Sequence, residues 1–177
     1  MESAVEQKAA ARAALSASTV AEAFRITAAE RANEVALRTK GDEFAITWGE
    51  LRDRADAIAG GLAKLGVGRG DTVALMLKNR PEFNICDLGA MMLGAVPFSI
   101  YNTYSPEQIA YVISDAGARV VICEQLYLPQ VLTARQNLPE LEHVIVVDGE
   151  PPEGVTALSE VEGSNPGFDV EASLAQA

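Results

Sequence analysis

Basic side chains are scarce in this sequence. Of its 177 residues, 14 are Lys or Arg and 25 are Asp or Glu, which gives a net charge of −11 at pH 7. A surface this acidic repels the phosphate backbone of nucleic acids, and no run of Lys and Arg offsets it locally. We therefore expect no nucleic-acid partner, and any nucleotide or coenzyme A would need a local cationic site.

Cysteine and histidine are also scarce. Cys86 and Cys123 lie far apart, and their density is too low for a disulfide framework, although a single disulfide stays open. We expect two buried thiols in a reducing cytoplasm. His143 is the only histidine and stands in an apolar run typical of a strand, where it favours a packed structural role. The sequence therefore predicts no catalytic residue and no metal ligand within this chain.

Long apolar runs are missing as well. The first 15 residues are rich in Ala but carry interspersed charges, so they lack the apolar core of a signal peptide. Residues 88–106 carry no charge, but Pro97 and Asn102 interrupt them. We predict no transmembrane segment and a cytoplasmic location, with a peripheral membrane position left open.

The first half of the chain predicts a helix, a hairpin and a second helix. The first helix spans 19–32, and two short strands at 34–38 and 43–46 flank a Lys-Gly-Asp turn. Thr47 and Glu50 form a capping box that opens the second helix, and Gly66 ends it. Its apolar face is Trp48, Leu51, Ala55, Ile58, Leu62 and Leu65. We expect Trp48 to anchor this helix against the sheet.

From residue 72 onward, strands and helices alternate. The strands are expected at 72–77, 96–100, 119–123 and 143–147, and the helices at 81–93, 105–116 and 126–135. Runs of Val and Ile separated by helices predict parallel strands with right-handed crossovers. The fold class is therefore α/β, a doubly wound and mainly parallel sheet layer preceded by a short β-hairpin.

The sequence also suggests a division into three parts. Residues 1–17 are predicted to be a flexible tail, and residues 18–147 to be the α/β domain. Residues 148–177 are acidic and rich in Pro and Gly, which predicts an extended linker with one helical turn at 158–161. A last helix is expected to begin within 168–177.

A glycine cluster at residues 66–70 resembles a phosphate loop only superficially. Phosphate-binding loops follow a strand and open a helix. Here a helix ends and a strand begins, so the cluster predicts a helix C-cap and a turn. The sequence predicts no cofactor-binding residue in this chain.

The candidate site lies where the predicted parallel strands end, because open α/β sheets bind ligands beyond the carboxyl ends of their strands. The loops there are 78–80, 101–104, 124–125 and 148–149. The second is the most suggestive, and its four residues are the predicted substrate-binding set: Tyr101, Asn102, Thr103 and Tyr104. The alternative is an ordinary strand-to-helix connection whose tyrosines pack on the sheet.

Three stretches carry a family resemblance. Ile46–Leu51 (ITWGEL) resembles the first core motif of the adenylate-forming acyl-CoA synthetases, with Trp48 where Tyr is commoner. Met91–Pro97 (MMLGAVP) resembles their second core motif, and Ser99–Thr103 (SIYNT) resembles the long-chain fatty acid branch. The resemblance covers residues 18–147 and implies the N-terminal part of such an enzyme.

The resemblance implies a two-step reaction for the complete enzyme. A long-chain fatty acid reacts with Mg-ATP to give an acyl-adenylate, and coenzyme A then displaces AMP. The family's phosphate loop, acidic magnesium motif and C-terminal domain have no counterpart in this sequence. We therefore expect this chain to bind none of ATP, Mg²⁺ and coenzyme A by itself, and to be inactive alone.

Two roles follow from the resemblance. The chain is either the N-terminal portion of a fatty-acid–CoA ligase or a non-catalytic binding or assembly module derived from one. The expected partners are the remaining part of a synthetase or further copies of this chain, together with the fatty acid.

Overall fold

The computed structural model describes residues 13–41 and 43–176. Most of the tail predicted for residues 1–17 lies outside this range, as does Asp42 of the hairpin turn. The helices are α1 Val20–Glu30, α2 Trp48–Lys64, α3 Pro81–Met91, α4 Pro106–Ala116, α5 Leu128–Arg135, α6 Leu158–Glu162 and α7 Val170–Leu174. The strands are β1 Val35–Arg38, β2 Ala45–Thr47, β3 Thr72–Met76, β4 Val96–Ser99, β5 Val120–Cys123, β6 His143–Val146 and β7 Thr156–Ala157.

Local signals set the starts of the helices. Thr47 Oγ1 accepts the N–H of Glu50, and the Glu50 carboxylate accepts the N–H of Thr47, so the predicted capping box opens α2. Ser105 and Gln108 form a second capping box, with Pro106 in the first turn of α4. Gly66 has φ +85°, the left-handed conformation expected just after α2.

Trp48 joins the start of α2 to its neighbouring elements. Its ring is half-buried and lies against Phe24 of α1, with ring centroids 6.2 Å apart. Its backbone N–H donates to the carbonyl of Glu34 in front of β1. Trp48 therefore ties α2 to α1 and the hairpin, and it also packs against the apolar core to which the large sheet contributes. Its anchoring of α2 against the sheet itself stays a prediction.

The fold is the predicted α/β layer. Strands β1 and β2 form the antiparallel hairpin. The other five strands form one parallel sheet in the order β4-β3-β5-β6-β7. Successive residues of the strands point their side chains to opposite faces of the sheet, and each face has its own apolar core. Leu75 and Ile122 pack with α1, α2 and α3 on one face, whereas Ala74 and Val121 pack with α4 and α5 on the other.

Residues 156–174 have more structure than the extended linker that the sequence suggests. Strand β7 pairs with the end of β6, and Leu158, Val161 and Val170 are buried in the same core as α2. This packing needs the glycines of α2, since a Cβ at Gly61 would stand 2.1 Å from the carbonyl oxygen of Val161. The division of the chain into domains stays a prediction.

Ion pairs hold this segment on the outer side of α2. The Arg54 guanidinium donates to the Glu162 carboxylate at 2.7 Å. Arg25 of α1 bonds both Asp56 of α2 and Glu171 of α7. The C-terminal part of the chain is therefore joined to the α1–α2 layer by charged as well as apolar contacts.

Two sequence expectations concern redox state and membranes. Cys86 and Cys123 are free and buried, as expected, and burial raises the pKa of Cys123 to about 12. Within residues 13–41 and 43–176, we find no helix with the length and apolar character needed to cross a membrane.

Candidate functional site

The parallel strands bring four loops to one edge of the sheet. Strands β4, β3, β5 and β6 are neighbours in that order and all run in the same direction. The loops 101–104, 78–80, 124–125 and 148–149 follow them, and we call these loops together the carboxyl edge. The sequence predicts that these loops meet, and the strand order shows which of them are adjacent.

An ion-pair network centred on Arg80 joins three of the loops. The Arg80 guanidinium lies 2.6 Å from the Asp148 carboxylate, 2.7 Å from Glu82 and 3.5 Å from Glu124. Burial opposes the positive charge, but the hydrogen bonds to Glu82 and Asp148 outweigh it and raise the pKa of Arg80. Since three carboxylates surround this cation, its charge is already paired, and the pairs hold the loops together.

Backbone groups complete the network. Glu124 is only 7% exposed, and its carboxylate accepts the N–H of Lys78 at 2.6 Å. The N–H of Gln125 donates to Asp148 at 2.7 Å. Burial opposes the charge of Asp148, but the bonds from Gln125 and Arg80 prevail and hold its pKa below the ordinary value. Hydrogen bonds and ion pairs therefore join the loops that follow β3, β5 and β6.

Tyr127 ties the fourth loop to the other three. The Asn102 side-chain amide donates to the Tyr127 hydroxyl at 3.0 Å. The Lys78 ammonium lies 5.7 Å from the centroid of the same ring, within the range of a cation–π contact. Tyr127 is buried, so one aromatic side chain braces the loop after β4 against the loop after β3.

The predicted substrate-binding residues form the exposed part of this edge. Tyr101 is 71% exposed, whereas Tyr104 is half-buried against the α4–α5 core. Their rings meet edge to face with centroids 5.4 Å apart. Asn102 and Thr103 form the exposed turn between them. The structure therefore groups all four residues, and their contact with a substrate stays a prediction.

Sequence reasoning missed the network beneath them. It placed Arg80, Glu124 and Asp148 in carboxyl-edge loops without assigning them roles, and it did not single out Tyr127. One signal was available, since a cation after β3 and acids after β5 and β6 suggest pairing across adjacent strands. Arg80 and Asp148 lie 68 residues apart in the sequence, so their pairing depends on which strands are neighbours in the sheet.

Two other sequence candidates lie at the opposite end of the sheet. His143 begins β6, and its Nε2 is 3.8 Å from Glu142, away from the carboxyl edge. The 66–70 glycine cluster precedes β3, where the N–H of Gly68 donates to Asp71. Gly66 and Gly70 both have positive φ, so the cluster is the predicted helix end and turn.

Comparison with known proteins identifies the family. The AMP-binding enzyme family matches residues 24–175. An uncharacterized protein of Mycobacterium tuberculosis is 48% identical over 134 residues, which are 76% of this chain and 75% of that protein. The long-chain-fatty-acid–CoA ligase of Thermus thermophilus is 33% identical over 123 residues, which are 70% of this chain and 23% of that enzyme.

A solved structure agrees with the sequence comparison. The crystal structure of an anthranilate CoA ligase in complex with anthranoyl-AMP superposes with a TM-score of 0.77 at 30% identity. The superposition covers 81% of this chain and 27% of that enzyme. The chain thus spans about a quarter of the length of the two ligases described here. With the family match over residues 24–175, these findings show that the chain belongs to the AMP-binding enzyme family of adenylate-forming CoA ligases.

Proposed function

We propose that this chain forms the N-terminal portion of a long-chain fatty-acid–CoA ligase and that the 101–104 loop lines the path of the acyl chain. The observation that carries the proposal is the exposed ring of Tyr101, paired with the half-buried ring of Tyr104, on a loop that Tyr127 holds in place. Tyr101 offers an apolar ring to solvent, and Tyr127 and Asn102 fix the loop that carries it.

The chemistry of this loop suits an alkyl chain. Residues 88–106 carry no Lys, Arg, Asp or Glu, although charged residues make up 22% of the chain. An alkyl chain gains by leaving water for apolar and aromatic surface, and an uncharged wall lets it do so without desolvating an ion. The similarity to the Thermus ligase supports this substrate class, whereas the similarity to the anthranilate ligase supports an aryl acid.

In this proposal the chain does not bind Mg-ATP by itself. Among them, no three His, Cys, Asp or Glu side chains come together in a way that could hold a metal ion. The one guanidinium at the carboxyl edge is taken by three carboxylates. In this proposal the groups that bind ATP, Mg²⁺ and coenzyme A belong to the remaining part of the ligase, and this chain alone is inactive.

A photoreactive fatty acid tests the placement of the loop. The chain is mixed with the remaining part of the Thermus ligase, irradiated with a diazirine-bearing fatty acid, digested and mapped by mass spectrometry. We expect labels on residues 101–104 and competition by unlabelled fatty acid. A diazirine-bearing benzoate serves as the matched aryl probe. Labels confined to the partner would remove the loop from the acyl path, and labelling by the benzoate probe alone would reassign the substrate class.

The second candidate is a binding or assembly module. The Mycobacterium tuberculosis relative favours it, since the 134 aligned residues make up 75% of that protein, which is therefore much shorter than a ligase of the family. In that role the chain would bind a complete synthetase without adding to its active site. Titration of the chain into the full-length Thermus ligase separates the two: binding that leaves substrate activation unchanged supports the module.

A cytoplasmic location is part of the same proposal. Two free, buried thiols suit a reducing compartment.

A further inference from the structure

Among the residues that the structure describes, strand β4 forms one edge of the parallel sheet, with β3 as its neighbour. Val96 donates its N–H to the carbonyl of Asp71, and Ile100 donates its N–H to the carbonyl of Leu75, both at 2.8 Å. In a strand, successive residues point their backbone groups to opposite sides. The backbone groups of Pro97, Ser99 and Tyr101 therefore face away from β3.

This outward row of backbone groups is complementary to itself. Ser99 presents both an N–H and a carbonyl, whereas Pro97 presents only a carbonyl because proline has no N–H. Tyr101 presents its N–H, but its carbonyl already accepts the N–H of Tyr104 at 3.1 Å. The donor missing at Pro97 thus corresponds to an acceptor already satisfied at Tyr101.

We propose that two copies of this chain pair through β4, antiparallel and centred on Ser99. In this register each Ser99 exchanges two hydrogen bonds with the other copy's Ser99, and each Tyr101 N–H donates to the other copy's Pro97 carbonyl. No donor or acceptor in the paired stretch is left without a partner. The five-stranded sheet then continues into a second copy as a ten-stranded sheet.

The side chains along the edge are compatible with close approach. Val96 is 56% exposed, Ser99 is exposed, and Pro97 and Phe98 are half-buried. Phe98 and Ile100 lie on the α4–α5 face of the sheet, and the register sets Phe98 of one copy beside Ile100 of the other. Pairing therefore adds apolar contact on that face.

Charge favours this edge over the rest of the surface. Each chain carries −11, so two copies repel each other. Residues 88–106, which include all of β4, carry no charged side chain, so strand pairing brings no ion pair or like charges into direct contact. Added salt screens the overall repulsion and should strengthen the association.

Oligomeric state tests the proposal. In sedimentation velocity up to millimolar concentration, we expect the wild-type chain to move from 18.7 kDa toward twice that mass, and more so at higher salt. Ser99→Pro removes the central N–H, which β3 does not use, and should keep the chain monomeric. Ser99→Ala retains that N–H and should associate like wild type. A monomeric wild type, or a Ser99→Pro variant that still dimerises, overturns the proposal.

Cross-linking tests the register even if Ser99→Pro fails to fold. Directly opposed residues of a hydrogen-bonded antiparallel pair have Cα atoms about 5.5 Å apart, which a disulfide can span. Ser99→Cys should therefore form a covalent dimer on mild oxidation, since Cys86 and Cys123 are buried. Ser114→Cys, on the exposed side of α4, is the matched control. Equal dimer yields from both variants would refute pairing centred on residue 99.

Discussion

At the scale of single residues, Arg80 determines how the carboxyl edge is held. Arg80→Met keeps most of the apolar stem but leaves the carboxylates of Glu82, Glu124 and Asp148 close together without a cation. Breaking a buried ion pair from one side costs about 3–5 kcal/mol, and the partial exposure of Arg80 reduces this to about 2–3 kcal/mol. Urea unfolding at neutral pH measures the loss.

Arg52→Met is the control for that change. Arg52 pairs with Asp53 on the surface at 2.7 Å, and pairs of this kind contribute about 0–1 kcal/mol. Equal losses from Arg80→Met and Arg52→Met would show that the network contributes nothing beyond an ordinary surface pair.

Asp148 makes the stability of this edge depend on pH. Its pKa in the folded chain is lower than in the unfolded chain, so its contribution is present above the unfolded value and is lost as pH falls through the folded value. We expect wild type to be more stable than Asp148→Asn at pH 7, and the gap to close as the pH falls below about 4.

Urea midpoints for both proteins across that range provide the measurement. Asp115→Asn, at an exposed position of α4, controls for the change in net charge. A gap between wild type and Asp148→Asn that stays constant down to low pH would contradict the assignment.

At the scale of elements, the docking of α6 on α2 depends on glycine at position 61, because a side chain there would collide with α6. Gly61→Ala should raise the helix propensity of α2 by up to about 1 kcal/mol. The new Cβ, however, would stand 2.1 Å from the Val161 carbonyl oxygen, and forced overpacking typically costs about 1–3 kcal/mol. We expect a net loss in urea unfolding and faster amide exchange in residues 158–174.

Gly167→Ala provides the comparison, because no heavy atom lies within 4 Å of its added Cβ beyond its chain neighbours. If Gly61→Ala were as stable as wild type and protected its amides equally well, the tight contact between α2 and α6 would be refuted.

The sequence predicts the elements whose causes are local. The capping boxes at Thr47 and Ser105 depend on residues three positions apart, and the Val- and Ile-rich strands depend on their own composition. Strand β7 has only two residues and shows no periodicity. The packing of α6 depends on Gly61, 100 residues before Val161 in the sequence, so local patterns do not predict it.

The sequence likewise predicts where the candidate site lies but not the contacts within it. Its place at the carboxyl edge follows from parallel strands alone, and the structure brings the 101–104 loop there. The bond between Asn102 and Tyr127 depends on which strands are neighbours, and chain order does not reveal this. A sheet in the order β4-β3-β5-β6 sets the loops of β3 and β5 side by side, which is why Lys78 and Tyr127 meet.

At the scale of the whole molecule, the chain is an α/β layer that belongs to the AMP-binding enzyme family. Its carboxyl edge carries an uncharged aromatic loop, and that the chain binds no Mg-ATP by itself stays a prediction. A net charge of −11 works against binding a polyanionic nucleotide without a cationic site. The central claim is therefore that this chain contributes to fatty acid activation only together with the rest of a ligase.

Fatty-acid-dependent exchange of pyrophosphate into ATP tests that claim most directly. The assay is run on the purified chain, on the remaining part of the Thermus ligase, and on the two mixed, each with a long-chain fatty acid and with benzoate. The account predicts no exchange by either part alone and exchange by the mixture with the fatty acid. Exchange by the purified chain alone, or a mixture that stays inactive although the two parts bind, would contradict it.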